Sequence, residues 1–145
     1  MFVGFAEELF FRGYVQSRLN EVFSRKYRKF LWVGFKWTQG TLITAVFLFG
    51  IPHLLTGVNP FLGYYGIEPF TVFMTISAIF MGLVFGVIRE KTGCILVTTV
   101  LHGSTDFVAL TLSKVVGLTV SNIAADVALF IFFAILFEKL LKESV

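Results

Sequence analysis

Long apolar segments alternate along the chain with short polar and basic ones. A helix needs about 20 predominantly apolar residues to cross the hydrocarbon core of a bilayer. Segments of this length or slightly shorter predict four membrane-spanning helices, at Thr38–Val58, Pro69–Ile88, Cys94–Leu112 and Asn122–Phe137. Pro69–Ile88 contains no ionisable residue, whereas one or two histidines or aspartates interrupt each of the others.

A further helix is predicted at the start of the chain, from about Phe2 to Phe23, although it carries Glu7, Glu8 and Arg12. Hydropathy alone would miss this helix. Residues 6–19 contain one glycine, no proline and many residues of high helix propensity, which favours a helix over a loop. The pattern therefore predicts an all-α fold, a polytopic bundle of about five transmembrane helices, with residues 1–145 forming a single domain.

Composition supports a membrane protein and excludes an ordinary water-soluble domain. Of the 145 residues, 57% are hydrophobic and 14% are charged, whereas soluble domains contain about 25% charged residues. Ten of the 12 Lys and Arg residues lie in residues 18–36, residues 89–91 and the C-terminal tail. Because cytoplasmic loops carry an excess of Lys and Arg, we expect these three segments to be cytoplasmic. Their position beside the apolar segments indicates contact with anionic lipid headgroups rather than nucleic acid.

Six ionisable residues deep within the predicted spans are the candidates for a functional site, namely Glu7, Glu8, Arg12, His53, His102 and Asp106. Each costs about 2.5–3.5 kcal/mol at the centre of a membrane helix, so such residues are rare and usually functional. Glu7 and His102 both lie about 16 Å from the nearest cytoplasmic basic residue, at a rise of about 1.5 Å per residue. The agreement in depth predicts one site near the middle of the bilayer. Three pairs have i, i+4 spacing and share a helix face: Glu8 with Arg12, Phe49 with His53, and His102 with Asp106.

The same residues also have structural interpretations, which stay open at this point. Each interpretation gives a polar side chain a partner inside the bilayer and assigns it no catalytic role. The alternatives are an ion pair between Glu8 and Arg12 that allows the helix to insert, a cap by His53 of a kink at Pro52, and a hydrogen bond between His102 and Asp106.

Three other residues within the spans are given structural roles. Asp126 lies near the start of the last predicted helix, where the helix dipole favours a negative charge, and it is left out of the site. Gly82 and Gly86 have a small-xxx-small spacing, which predicts close packing against a neighbouring helix.

Three short motifs on the helices that carry polar residues give the chain a family resemblance. They are Glu7-Glu8-Leu9-Phe10-Phe11-Arg12 (EExxxR), Phe49-Gly50-Ile51-Pro52-His53 (FxxxH) and His102-Gly103-Ser104-Thr105-Asp106 (HxxxD). With these motifs in this order, the chain resembles the CAAX protease and bacteriocin-processing family (CPBP, or Abi) of intramembrane proteases, which includes the Ras-converting CAAX endopeptidase. The resemblance covers about residues 3–107. Members usually carry further helices before the first motif, so we expect the domain to be truncated at its N-terminus.

The resemblance implies a role for each motif residue. Glu7 matches the general base that activates a water molecule, and His53 matches the histidine that works with it on this water. His102 and Asp106 match the pair that stabilises the oxyanion. An asparagine would donate to the oxyanion directly, so an aspartate at position 106 must hold a proton or orient His102. Supporting positions are matched by Glu8, Arg12 and Phe49.

Metal dependence is an alternative that the residues leave open. Glu7, His53 and His102 could together bind zinc, since glutamate and histidine are common zinc ligands. However, no HExxH motif brings two histidines together on one helix, and the resemblance implies a metal-independent mechanism that depends on glutamate. We therefore expect no metal and no other cofactor.

The favoured function is an intramembrane endopeptidase that hydrolyses a peptide bond in a membrane-associated substrate, by CAAX-type processing of a prenylated protein or by leader-peptide processing. Its partners would be this substrate and the lipid bilayer, and not nucleic acid. One alternative is a non-catalytic protein of the same scaffold that acts in bacteriocin immunity or protein sorting. Another is a proton or ion pathway, which would need polar residues that reach both membrane surfaces. The predicted helix Pro69–Ile88 offers none.

Overall fold

The described residues form four long helices and two short strand pairs. The structure is a computed structural model, and it describes residues 2–30, 34, 36–59, 61, 64–117, 123–125, 127–128 and 131. Helix α1 comprises an α-helical segment at Phe2–Glu7, a π-helical segment at Glu8–Val15 and an α-helical segment at Gln16–Val22. This confirms the predicted first helix.

Helix α2 spans Gln39–Gly57 and changes its winding twice. It begins as an α-helix at Gln39–Ile43, widens to a π-helix at Thr44–Gly50 and tightens to a 3-10 helix at Ile51–Gly57. Pro52 lies in the first turn of the 3-10 segment, and its missing N–H cannot continue the preceding hydrogen-bond ladder. Departures from α-helical geometry often accompany functional sites, and both π-helical segments found among the described residues contain motif residues.

Helices α3 and α4 are longer than the apolar segments that predict them. The α3 helix spans Pro69–Thr92 and the α4 helix spans Ile95–Val116. Each continues beyond the predicted end, because a helix follows backbone hydrogen bonding and not hydropathy. The α3 helix ends at Gly93, whose φ of 67° is the left-handed conformation that glycine adopts after a helix C-terminus.

Three of these helices, α2, α3 and α4, are long and apolar enough to cross a membrane. The α1 helix is less apolar because it carries Glu7, Glu8, Arg12 and Arg18. The helices confirm the predicted class, an all-α polytopic bundle. Of the predicted fifth span, residues 123–125, 127–128 and 131 are helical. The rest of that span, including Asp126, lies outside the described residues.

Two antiparallel strand pairs join the helices. Strand β1 (Lys26–Tyr27) pairs with β2 (Trp37–Thr38) directly before α2. Strand β3 (Val58–Asn59) pairs with β4 (Tyr64–Tyr65) between α2 and α3. The first pair closes the basic segment after α1, and its Trp37 belongs to the buried core, so this segment is fixed to the end of the bundle.

The α3 helix lies at the centre of the bundle, and the apolar core surrounds its C-terminal half. Its two glycines, Gly82 and Gly86, allow close helix contacts. A Cβ atom on Gly82 would lie 3.2 Å from the Cβ of Ala45 in α2. A Cβ atom on Gly86 would lie 2.6 Å from Cγ2 of Thr41 and 3.1 Å from Oε1 of Gln16. The predicted packing role of this pair is confirmed, since larger side chains would force α1 and α2 away from α3.

Candidate active site

Two consecutive glutamates of α1 have opposite environments. Glu8 begins the π-helical segment and is fully buried, while the Glu7 side chain is 37% exposed. Successive helix residues point about 100° apart, so one carboxylate can face the interior while the other faces a cavity. Glu8 therefore belongs to the packed interior, and Glu7 is accessible to a water molecule or a peptide.

The imidazole ring of His102 lies between the two glutamates. Its Nδ1 atom is 3.0 Å from Glu8 Oε1, and its Nε2 atom is 3.6 Å from Glu7 Oε2. An ionised carboxylate only accepts hydrogen bonds, so Nδ1 is the donor to Glu8. The neutral ring then presents a lone pair at Nε2, and the protonated ring presents a donor there.

Asp106 approaches His102 from one turn further along α4. Its Oδ1 atom lies 3.8 Å from His102 Nε2, and its side chain is 41% exposed. This separation exceeds hydrogen-bond length, as does the 3.6 Å between Nε2 and Glu7. Distances of this size are those at which a water or substrate oxygen can bridge two polar groups. Nε2 is therefore the atom of His102 that a bound molecule can reach.

Arg12 joins the glutamate helix to α2 and α3. It is fully buried, its Nε lies 3.6 Å from Glu8 Oε2, and its Nη2 donates to the Gly82 carbonyl at 3.3 Å. Its guanidinium carbon lies 4.3 Å from the centre of the Phe49 ring, which is a cation–π contact. Arg12 thus compensates the buried charge of Glu8 while it contacts both neighbouring helices.

His53 is held by its own helix. Its Nδ1 lies 2.8 Å from the Phe49 carbonyl oxygen, and this nitrogen carries the proton because a carbonyl only accepts. Nε2 of the neutral ring is therefore an acceptor. The Phe49 ring centre lies 5.4 Å from that of His53 and 6.0 Å from that of His102. The supporting position Phe49 thus contacts both histidines.

A cavity of about 260 Å³ joins the predicted catalytic residues. A second cavity of about 230 Å³ reaches Glu7 and His53 between α1 and α2. A third, mostly apolar, has a volume of about 580 Å³ and shares Val3 and Asp106 with the first. The structure brings every predicted site residue into one region, while their catalytic roles stay predictions. The wall of the first cavity includes all four residues, Glu7, His53, His102 and Asp106.

A comparison with protein families bears on this arrangement. A family model described as type II CAAX prenyl endopeptidase Rce1-like matches residues 1–108, which is most of the chain. The chain belongs to this family. The matched residues include all three motifs, from Glu7 to Asp106, and the resemblance to CAAX proteases is confirmed. No curated protein and no solved structure was found to match the chain.

Membership of the Rce1-like family fixes the general setting of the site. Together with the three apolar helices, it identifies an integral membrane protein. The family is one of CAAX-type intramembrane proteases, which act on membrane-associated prenylated proteins. His53, His102 and Asp106 thus lie on helices that are long and apolar enough to cross a membrane, and the glutamates of α1 contact His102 from the neighbouring helix.

The donor atoms of the site do not form a metal-binding cluster among the described residues. In that part of the chain, no group of three or more His, Cys, Asp and Glu side chains is arranged to hold a metal ion. Both histidines use Nδ1 in hydrogen bonds, His102 with Glu8 and His53 with Phe49, and such bonds do not decide the question because metal-bound histidines commonly make them. The described residues thus contain no preformed zinc site, and a mechanism without metal or cofactor stays a prediction.

Sequence reasoning missed several polar residues around the site. Ser77 and Thr105 line the first cavity, and Gln16 is fully buried one turn beyond Arg12. Neutral polar side chains lower the hydropathy of a segment only slightly, so a hydropathy pattern does not reveal them. For Gln16 a signal was present, because it continues the four-residue spacing from Glu8 to Arg12 on one helix face.

Proposed function

We propose that this protein is an intramembrane endopeptidase that cleaves a peptide bond near the C-terminus of a prenylated, membrane-associated protein, with a water molecule activated by Glu7. The observation that carries the proposal is the shared cavity, in which an accessible Glu7 lies with His53, His102 and Asp106. The family description, a CAAX prenyl endopeptidase, supports the reaction type.

Glu7 is suited to act as the general base. Its carboxylate is partly exposed to the cavity and accepts a proton from water in its ionised form. His53 lines the same cavity, so one water molecule could contact both groups. Attack of this water forms the new C–O bond at the peptide carbonyl. The proton taken by Glu7 then passes to the leaving nitrogen as the C–N bond breaks.

His102 is suited to stabilise the oxyanion when its ring is protonated. Because Nδ1 donates to Glu8, Nε2 carries a proton only in the imidazolium form. In that form Nε2 would donate to the oxyanion and place a positive charge beside it, in surroundings of low dielectric constant. Asp106 would either orient the ring or act as a second donor by holding a proton of its own.

We also propose that the basic connections and the C-terminal tail face the cytoplasm. The basic segment before α2 and the charged last turn of α3 lie at one end of the bundle, where the Thr38 N–H donates to Glu90 at 3.0 Å. An excess of Lys and Arg at one end is typical of the cytoplasmic side. Labelling of a Lys26→Cys variant without Cys94, from one side of sealed vesicles, tests this orientation. Labelling from the outer side only would contradict it.

The function is tested by cleavage of a farnesylated peptide that ends in a C-a-a-X sequence, with the purified protein in lipid nanodiscs. We expect the wild-type protein to release the C-terminal tripeptide, detected by mass spectrometry. Glu7→Gln should lower turnover by at least about 100-fold, because a general base contributes roughly that factor or more. His53→Ala should also abolish cleavage.

The matched control is Glu21→Gln, which removes an exposed carboxylate from the same helix, where it pairs with Arg18. This variant should cleave as the wild type does. Wild-type turnover by Glu7→Gln would contradict the proposal. A wild-type protein that cleaves neither the farnesylated peptide nor a set of leader peptides would favour the non-catalytic alternative. Loss of turnover on adding a chelator would contradict metal independence.

A further inference from the structure

A row of polar side chains runs along one face of α1, away from the catalytic cavity. Glu8, Arg12, Gln16 and Asn20 recur at every fourth position. The first three are fully buried, which is unusual for such residue types. A row of this kind in a membrane helix must bond to a neighbouring helix, since lipid offers no partners.

The partners form a matching row on α3. Arg12 Nη2 donates to the Gly82 carbonyl at 3.3 Å, and Gln16 Nε2 donates to the Gly86 carbonyl at 2.9 Å. Asn20 Nδ2 completes the series with Oε1 of Glu90 at 3.2 Å. Each pair is separated by 70 residues along the chain, so the two helices run parallel in a single register. A slip of either helix by one residue would break all three hydrogen bonds together.

Gln16 occupies the middle of this row and also reaches α2. Its Nε2 donates to Oγ1 of Thr41 at 2.7 Å as well as to the Gly86 carbonyl. The absence of a side chain at Gly86 is what exposes that carbonyl, since a Cβ there would meet both Thr41 and Gln16. One amide group therefore holds α1 against α2 and α3 at a single point.

The row is anchored at the end remote from the cavity by a second carboxylate. Glu90 accepts hydrogen bonds from the Thr38 N–H at 3.0 Å and from the Thr38 hydroxyl at 2.6 Å. It also accepts from Thr41 and from Asn20. At the opposite end, Glu8 holds the imidazole of His102. The row thus connects a fixed polar cluster to the histidine of the site.

We infer that Gln16 is a positioning residue, which sets the register of α1 on α3 and thereby holds Glu7 and Glu8 against His102. Gln16 is not in the wall of any described cavity, so any effect on catalysis must act through the placement of α1. Its role in turnover rests on the proposed peptidase function, whereas its effect on the His102 ring does not.

Two substitutions perturb the register in different ways. Gln16→Met keeps the length of the side chain and removes both hydrogen bonds. Gly86→Ala keeps Gln16 and adds a methyl group against Cγ2 of Thr41. Thr41→Ser removes that Cγ2 atom and retains the hydroxyl group, so it should partly restore the Gly86→Ala variant. Tyr14→Leu is the matched control, because Tyr14 is 62% exposed on the same helix.

The first measurement is nitrogen NMR of the protein labelled on histidine, in nanodiscs. The chain contains 2 histidines, so His53 is an internal reference for His102. Gln16→Met should change the Nδ1 and Nε2 signals of His102 and leave those of His53 unchanged. The Tyr14→Leu control should leave the signals of both histidines unchanged. Unchanged His102 signals would overturn the inference. Equal broadening of both histidines would also overturn it, because it indicates general destabilisation.

The second measurement is turnover of the farnesylated C-a-a-X peptide. Gln16→Met should lower kcat by up to about 100-fold, the effect of a displacement near 1 Å in a catalytic group. KM should change by less than about twofold, since the cavity wall is untouched. An unchanged kcat would overturn the inference. If the wild-type protein fails to cleave, the proposed function fails, and the His102 signals alone decide the positioning role.

Discussion

Replacement of Glu8 by glutamine removes one buried charge from the centre of the site and changes little else. The side chain keeps its size, and the amide oxygen can still accept from His102 Nδ1. What is lost is the negative charge beside Arg12, whose Nε lies 3.6 Å from Glu8 Oε2. Both side chains are almost completely inaccessible to solvent, at 1% and 0% exposure, so water cannot replace the missing partner.

The size of the effect follows from this geometry. At 3.6 Å and an effective dielectric constant of about 20, two unit charges attract by about 5 kcal/mol. Removal of one partner of a buried ion pair typically costs about 3–5 kcal/mol, because the other charge stays buried and uncompensated. We therefore expect Glu8→Gln to lower the free energy of unfolding by about 3–5 kcal/mol.

Unfolding of the protein in nanodiscs or detergent, followed by circular dichroism, measures this loss. The double variant Glu8→Leu with Arg12→Met removes both charges and should recover part of the stability, although His102 Nδ1 and the Gly82 carbonyl lose their partners. It should still cleave poorly, because His102 Nδ1 has lost its acceptor. A loss below about 1 kcal/mol in Glu8→Gln, the level of a weak surface pair, would refute the view that Glu8 and Arg12 are a buried ion pair.

Two further substitutions test the neighbours of the pair. Asp106→Asn should keep or raise kcat, because an amide donates to the oxyanion without first being protonated. A fall in kcat of more than about tenfold throughout the pH–rate profile would contradict a donor role for this position. Gly82→Ala should lower Tm, because its Cβ would lie 3.2 Å from the Cβ of Ala45. The addition of Ala45→Gly should restore part of the loss, and no recovery would contradict the packing explanation.

The sequence predicted the helices better than their ends. Alternation of apolar and basic segments was sufficient to place α2, α3 and α4, since the bilayer requires apolar helices of a given length. It placed the end of α3 at Ile88 because hydropathy falls there, whereas the helix continues to Thr92. Backbone hydrogen bonds and Gly93 decide that end, and neither contributes to hydropathy.

Spacing and depth predicted the site residues as a group, but they could not predict the environment of each residue. Spacing of four residues indicated that Glu8 faces Arg12 and that His102 faces Asp106, and the structure brings both pairs together. Spacing could not show which glutamate is buried, because the π-helical winding begins between Glu7 and Glu8. The same spacing places Gln16 on the face of Glu8 and Arg12, but it could not identify the partners of the Gln16 amide, one of which is a backbone carbonyl 70 residues away.

The need for two consecutive glutamates follows from the shape of an imidazole ring. Nδ1 and Nε2 lie on different edges of the ring, and one carboxylate cannot reach both. Glu8 contacts Nδ1 from the buried side at 3.0 Å, and Glu7 approaches Nε2 from the cavity at 3.6 Å. Consecutive helix positions differ by about 100° in direction, which places one carboxylate at each edge. Neither glutamate can therefore replace the other: loss of Glu8 leaves His102 without its buried acceptor, and loss of Glu7 leaves the cavity without the base that we propose.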